Sequence, residues 1–259
     1  MKKYLFILPL VALALMCSCE KKAVVEETEE LVWGTASVCL ENPIAEGESR
    51  CYLIELKLDT LSGESELAKS VADMIRDSVM VTSSRPTIQA TLAAFADSLD
   101  AEWKVELAER YEPEAEWKDI FQYYFSVEGK PVEESREGIM SYETKTTSFV
   151  GGAHGSYEVH YYNFEKESGK LLNVKDVIPA EKEADVLKEM EKQLCRDWEA
   201  WDLTELQETT GITMLGDVFL TNNFLLKGSD SIMFLFNQYE IAPYSAGLIS
   251  VTIPLPKNP

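Results

Sequence analysis

Gly151-Gly152-Ala153-His154-Gly155 stands between two strand-like segments, Ile139 to Val150 and Tyr157 to Glu165, and reading outward from it decides the fold. Three glycines in five positions remove the Cβ penalty for positive φ and let backbone or a partner approach closely, so the run reads as a built loop. His154 is its one polar side chain.

Downstream, Glu167-Ser168-Gly169-Lys170 reads as a tight turn with Gly169 at the positive-φ position. Pro179 precedes a helical pattern near Glu181 to Trp201, with Val186, Met190, Leu194 and Trp198 as apolar positions. Phe219 to Leu255 holds two or three strands, with a turn at Ala242-Pro243-Tyr244. Upstream, Trp117 to Glu128 and residues 31 to 58 alternate as strands do. Helical spacing covers Ser65 to Met80 through Leu67, Val71, Met74, Ile75 and Val79, and a second helix starts at Pro86 and ends near Arg110. Helices interrupting antiparallel strand runs predict an α+β fold of two small lobes, antiparallel sheets packed by helices. The polar run from Gly129 to Gly138 places the boundary, giving domains at 31–134 and 135–257.

Residues 1–18 combine a basic start, a short apolar core and small residues before Cys19, the pattern of a bacterial lipoprotein signal with Cys19 as the lipidated residue. Cys17 is the alternative, with Met16 as a poorer preceding residue. No second long apolar run follows, and 19–30 reads as a charged, flexible spacer. The expected location is the cell envelope, lipid-anchored outside the cytoplasm at the outer membrane or periplasmic face.

The formal charge is −21, two units more negative once Lys2 and Lys3 leave with the signal. Nucleic acid is disfavoured as a partner and none is expected, because phosphate contacts need clustered Lys and Arg. A basic partner is favoured, although acidic surfaces also serve solubility alone. Cys39 and Cys51 flank a Gly-containing connection and are the expected disulfide pair, while Cys195 lies in a helix pattern as a small hydrophobe.

Gly151 to Gly155, Tyr161-Tyr162-Asn163-Phe164, Ser168 to Leu172, Val174 to Ile178, Ile232 to Phe236, Tyr239 to Tyr244, Gly247 and Val251 to Pro254 form a series of blocks spread over residues 139 to 256. In this order they resemble the RsiV-like domain family, known for a membrane-bound anti-sigma factor that binds lysozyme. The preceding region is similar, more weakly, to the domain that accompanies this family and some peptidoglycan deacetylases. With a lipoprotein signal in place of a cytoplasmic segment and membrane helix, and no catalytic domain, neither sigma-factor binding nor deacetylation is expected. The resemblance implies a non-enzymatic envelope binding module whose partner is a basic protein such as lysozyme or a cell-wall, peptidoglycan-type glycan. The implied contact residues are Gly151, Gly152, His154, Tyr244 and Gly247.

The alternative is an envelope glycan hydrolase with His154 as general base. That needs an orienting carboxylate, for which Glu240 is the candidate, and a nucleophile, which Ser156 lacks the context to supply. His154 and His160 do not have metal-pair spacing, so neither a metal nor another cofactor is expected. Tyr157, Tyr161, Tyr162, Phe164, Tyr239 and Tyr244 are read first as sheet-face packing and second as a contact surface. Trp198 and Trp201, three apart on the expected helix, are read as core before sugar platform. Thr60, Ser78, Ser98 and Ser231 each follow Asp and precede an apolar residue, the O-glycosylation sequon of one group of Gram-negative bacteria.

Overall fold

The computed structural model describes residues 31–46, 51–81, 85–110, 123–133, 135–212 and 218–256. The signal at 1–18, Cys19, the spacer at 19–30 and the start of the Trp117 to Glu128 strand lie outside the described residues.

A long hairpin opens the fold: β1 (Trp33–Pro43) pairs antiparallel with β2 (Cys51–Leu61). Strict alternation in β2 sends Tyr52, Ile54, Leu56 and Leu58 to one fully buried face. Two helices cover it. In α1 (Glu66–Met74) the Ser65 hydroxyl caps the start by accepting from the Ala68 N–H at 3.2 Å, and Leu67, Val71 and Met74 face the sheet. A π turn over Ile75–Val79 prolongs it and keeps Ile75 buried. The second helix, α2 (Ile88–Arg110), starts two residues after Pro86, with Thr87 Oγ1 accepting from the Ala90 N–H at 3.1 Å. Its Trp103 packs edge-on against Tyr52 and Tyr123.

The chain returns as β3 (Tyr124–Pro131), parallel to β2, then β4 (Ile139–Phe149), β5 (Ser156–Glu165) and the two-residue β6 (Leu171–Leu172), all antiparallel. One six-stranded sheet therefore runs β1-β2-β3-β4-β5-β6. The division expected at 134/135 falls inside it, because β3 pairs with β4 from Tyr124 opposite Phe149 to Pro131 opposite Tyr142. Two cores nevertheless define two lobes. The first runs from Ala36 to Phe164, and the second begins at Leu172.

In the second lobe, α3 (Val174–Val177) carries a capping box between Asn173 and Asp176. It leads to α4 (Glu183–Asp197), which lays Val186, Met190 and Leu194 on a three-stranded antiparallel sheet. The expected Glu181 to Trp201 helix ends at Asp197, and a short α5 (Leu203–Thr210), unread in the sequence, follows. The sheet is β7 (Phe224–Lys227), β8 (Ser231–Phe236) and β9 (Ile249–Pro254), centred on Phe224, Phe234, Phe236 and Val251. No helix among the described residues is long and apolar enough to cross a membrane.

Cys39 and Cys51 form no disulfide. Cys39 stands opposite Glu55 and Cys51 opposite Pro43, so the two are four positions out of register, about 13 Å along the strands and beyond any bridge. Cys195 is buried, as its helix position implies, and burial pushes its thiol pKa up.

Side-chain amides join the lobes. The N–H groups of Val159 and Tyr161 on the open edge of β5 donate to Asn237 Oδ1 and Asn223 Oδ1, each at 2.9 Å. The Val159 carbonyl accepts from Asn223 Nδ2 at 2.8 Å and Asn237 Nδ2 at 3.2 Å. Buried Asn163 donates to the Phe224 carbonyl at 2.7 Å and accepts from Ser141 Oγ at 2.8 Å. Each amide thus has partners on both its oxygen and nitrogen, the condition for burying asparagine without large cost.

Candidate binding edge

The glycine loop joins β4 to β5 beyond the last pair, Ser148 opposite Ser156. Gly151 and Gly152 take φ of 87° and 99°, where an L side chain is strained. Gly155 serves the other purpose read from the sequence, close approach: a Cβ there would lie 2.7 Å from the Ser148 carbonyl oxygen.

This backbone presents His154, exposed, to two tyrosines of the second lobe. Its ring stacks on Tyr244 with centroids 3.7 Å apart and planes 19° from parallel. Nδ1 lies 3.0 Å from the Gly155 carbonyl oxygen, and Nε2 lies 3.2 Å from Tyr239 Oη. The Nδ1–H tautomer satisfies both contacts, donating to Gly155 and accepting from Tyr239. Tyr239 is 55% exposed and holds φ at 69°, an unusual conformation for a bulky residue. The Asn237–Glu240 turn holds it there: Glu240 Oε2 accepts from the Asn237 N–H at 2.7 Å, and the Glu240 N–H donates to the Asn237 carbonyl at 3.1 Å. Tyr244 begins a one-turn 3-10 helix, Tyr244–Ala246, closed by Gly247 at φ 70°.

Of the residues singled out in the sequence, Gly151, Gly152, His154 and Tyr244 therefore meet on one edge, and Gly247 shapes the turn carrying Tyr244. Tyr239, named there among the aromatics and in a resembling block but not as a contact residue, is the histidine's polar partner. Glu240 is not its orienter, since its carboxylate closes its own turn. Among the described residues no carboxylate touches His154, so the geometry shows neither the orienting group nor the nucleophile that base catalysis needs.

The other candidates lie apart. His160 is half-buried on β5 with Nε2 3.5 Å from Glu158 Oε2, and no group of three or more His, Cys, Asp or Glu among the described residues could hold a metal ion. Tyr161 donates to Glu143 Oε2 at 2.9 Å; burial first and that hydrogen bond second push its pKa up, so it acts as a donor and not a base. Ser78 and Ser98 are exposed on helical segments, whereas Thr60 and Ser231 are half-buried in strands. A cleft of about 310 Å3 beside Ser78, His160, Tyr162, Asn173 and Asn222, and an acidic one of about 530 Å3 beside Glu137, Glu165 and Asp176, do not include His154.

Residues 175–255, nearly the whole second lobe, match the family model described as a protein of unknown function, DUF3298. The chain carries a DUF3298 domain. Its start coincides with α3, so this domain contributes Tyr239, Tyr244 and Gly247 to the edge, while His154 and the glycine loop come from the sheet before it. Two solved structures share the fold. A DUF3298 family member from Bacteroides fragilis superposes with a TM-score of 0.72 at 19% identity, covering 86% of this chain and 90% of that one. A DUF3298 family protein from Pseudomonas aeruginosa gives 0.59 at 19% identity, covering 87% and 91%. Both likenesses span the sheet region as well as the DUF3298 domain. No curated protein matches the chain in sequence.

Proposed function

We propose that this protein is a lipid-anchored binding module of the cell envelope, whose His154–Tyr239–Tyr244 edge takes a basic protein of the lysozyme kind. The observation that carries the reading is the junction itself. A glycine-built loop and a Tyr239 turn held at positive φ bring three aromatic rings together at the surface without using them in either core. Rigid rings with polar tips are what protein contacts favour. The charge of −21 supports a cationic partner by steering its approach. The RsiV-like resemblance over residues 139 to 256 overlaps the DUF3298 domain and points the same way. The anchor is Cys19, on the sequence pattern of 1–18.

The test is lysozyme binding by the full-length protein in detergent, measured by titration calorimetry at low and moderate salt. Binding that weakens with salt and falls at least about tenfold in the His154→Ala/Tyr244→Ala double variant is expected. No binding at low salt, or full binding by the double variant, would overturn the reading. Mass spectrometry of the native chain should find acyl groups on Cys19.

A further inference from the structure

Trp201 is 91% exposed, and Trp198 beside it is 42% exposed, so the tryptophans expected in the core lie outside it. The chain around Trp201 is nonetheless tightly built. The end of α4 closes as a Schellman turn, with the Ala200 N–H donating to the Cys195 carbonyl at 2.9 Å and the Glu199 N–H to the Arg196 carbonyl at 3.3 Å. Its left-handed position, φ 54°, is filled by Glu199, where glycine is the usual and unstrained choice. One residue after Ala200, the Trp201 N–H donates to Glu205 Oε2 at 2.6 Å, and Asp202 caps α5 by accepting from the Glu205 N–H at 3.0 Å. Two caps meeting back to back thus fix a two-residue corner whose only large side chain points to solvent.

Trp201 walls a cleft of about 410 Å3, within the usual range for small-molecule sites, together with Lys188, Glu191, Lys192, Arg196 and Asp202. Lys192 and Arg196 both pair with Glu189, whereas Lys188 and Glu191 have no ion pair among the described residues. An apolar plate ringed by mixed donors and acceptors matches one ligand chemistry well. A pyranose ring has an apolar face of C–H bonds and a rim of hydroxyls that both donate and accept. An anionic bilayer fits poorly, because Asp202 lines the cleft with Trp201, Glu205 holds the Trp201 N–H, and Glu199 lies two residues before it. A protein hot spot fits less well, since beyond Trp198, Ala200 and Leu203 the rim is charged, whereas such anchors sit within larger apolar patches.

We propose that this cleft is a carbohydrate subsite, in which Trp201 stacks on the face of a pyranose in a glycan chain while Lys188, Glu191 and Asp202 take its hydroxyls. The site lies on α4 and α5, shares no residue with the His154 edge and stands independently of the function assigned to that edge.

Calorimetric titration of the full-length protein in detergent with chitohexaose and with a uronate-bearing hexasaccharide tests it, the pair separating neutral from acidic glycans. Saturable binding of at least one is expected, weakened about tenfold or more by Trp201→Ala, largely kept by Trp201→Phe and unchanged by His154→Ala. Binding unaffected by Trp201→Ala would overturn the proposal, as would no saturable binding of either sugar by the unaltered chain. Loss of lysozyme capture in Trp201→Ala without sugar binding by the unaltered chain would reassign the surface to protein contact.

Discussion

Gly169→Ala tests how the turn between β5 and β6 is seated, with Gly138→Ala as its internal control. Both glycines hold left-handed φ, 70° and 76°, so each alanine carries the same conformational penalty, about 1 kcal/mol. They differ in what a Cβ meets. At Gly138 there is nothing within 4 Å; at Gly169 the Glu66 carbonyl carbon lies at 2.5 Å, its oxygen at 2.6 Å and the Leu67 nitrogen at 2.6 Å. These are backbone atoms in the first turn of α1, held by the Ser65 cap, and cannot swing aside as a side chain would. Opening that contact costs a further ~1–3 kcal/mol, the range for forcing atoms into a packed site. Gly169→Ala should therefore destabilise by about 2–4 kcal/mol and lower Tm by ~5–15 °C for a unit of this size. Urea unfolding of both variants, read by linear extrapolation, isolates the difference. If Gly169→Ala falls within about 0.5 kcal/mol of Gly138→Ala, the turn does not bear on α1 as described.

Two further predictions concern polar contacts between elements that are partly or wholly buried. Asp100 on α2 accepts from Asn42 Nδ2 at 2.6 Å, Lys104 Nζ at 2.6 Å and the Tyr52 hydroxyl; burial alone would raise its pKa, but these donors outweigh it and hold the carboxyl below the usual range. Because the folded pKa lies below the unfolded one, the contribution is complete at neutral pH and disappears as pH falls through about 4 and below. Asp100→Asn should cost ~1–3 kcal/mol at pH 7, and its stability curve should converge with that of the unaltered chain in acid; a constant gap down to pH ~2.5 contradicts this. Asn223→Ala removes the partners of both the Tyr161 N–H and one Val159 carbonyl bond, costing about 2–4 kcal/mol and speeding exchange of the Tyr161 amide, which unchanged hydrogen-exchange protection would refute.

Local signals were legible in the sequence and long-range pairings were not. The alternation in β2, the apolar stripe of α1 and the positive-φ turn at Gly169 all depend on neighbours within a few residues, and each appears where its pattern places it. The polar run from Gly129 to Gly138 looked like a domain boundary because a break in patterning reads alike in a linker and in a connection between paired strands. The parallel pairing of β2 with β3, reached across two helices, leaves no mark in either strand alone. Cys39 and Cys51 failed as a pair through register, which the span of the connection sets. Trp201 was placed in the core by helical spacing carried past the true end of α4 at Asp197. At the binding edge the glycine loop announced itself, while Tyr239 did not, because the histidine it meets lies 85 residues away in sequence.

That turn explains why the edge exists. The open edge of β5 would leave the Val159 and Tyr161 amides unpaired, and an unpaired edge invites association with another chain. Here the second lobe covers it with asparagine side chains in place of a strand. A strand would have continued the sheet, but single side chains let the covering backbone turn away immediately. Asn237, whose side chain bonds Val159, is also the first residue of the Asn237–Glu240 turn that lifts Tyr239 to φ 69° and within 3.2 Å of His154. Val159, Asn237, Tyr239 and His154 therefore form one chain of hydrogen-bonded or directly linked elements, running from the buried junction to the surface. Because its inner end rests on buried amides whose loss would leave polar groups unpaired, the junction is costly to open, and the histidine and its tyrosines meet as a preformed surface.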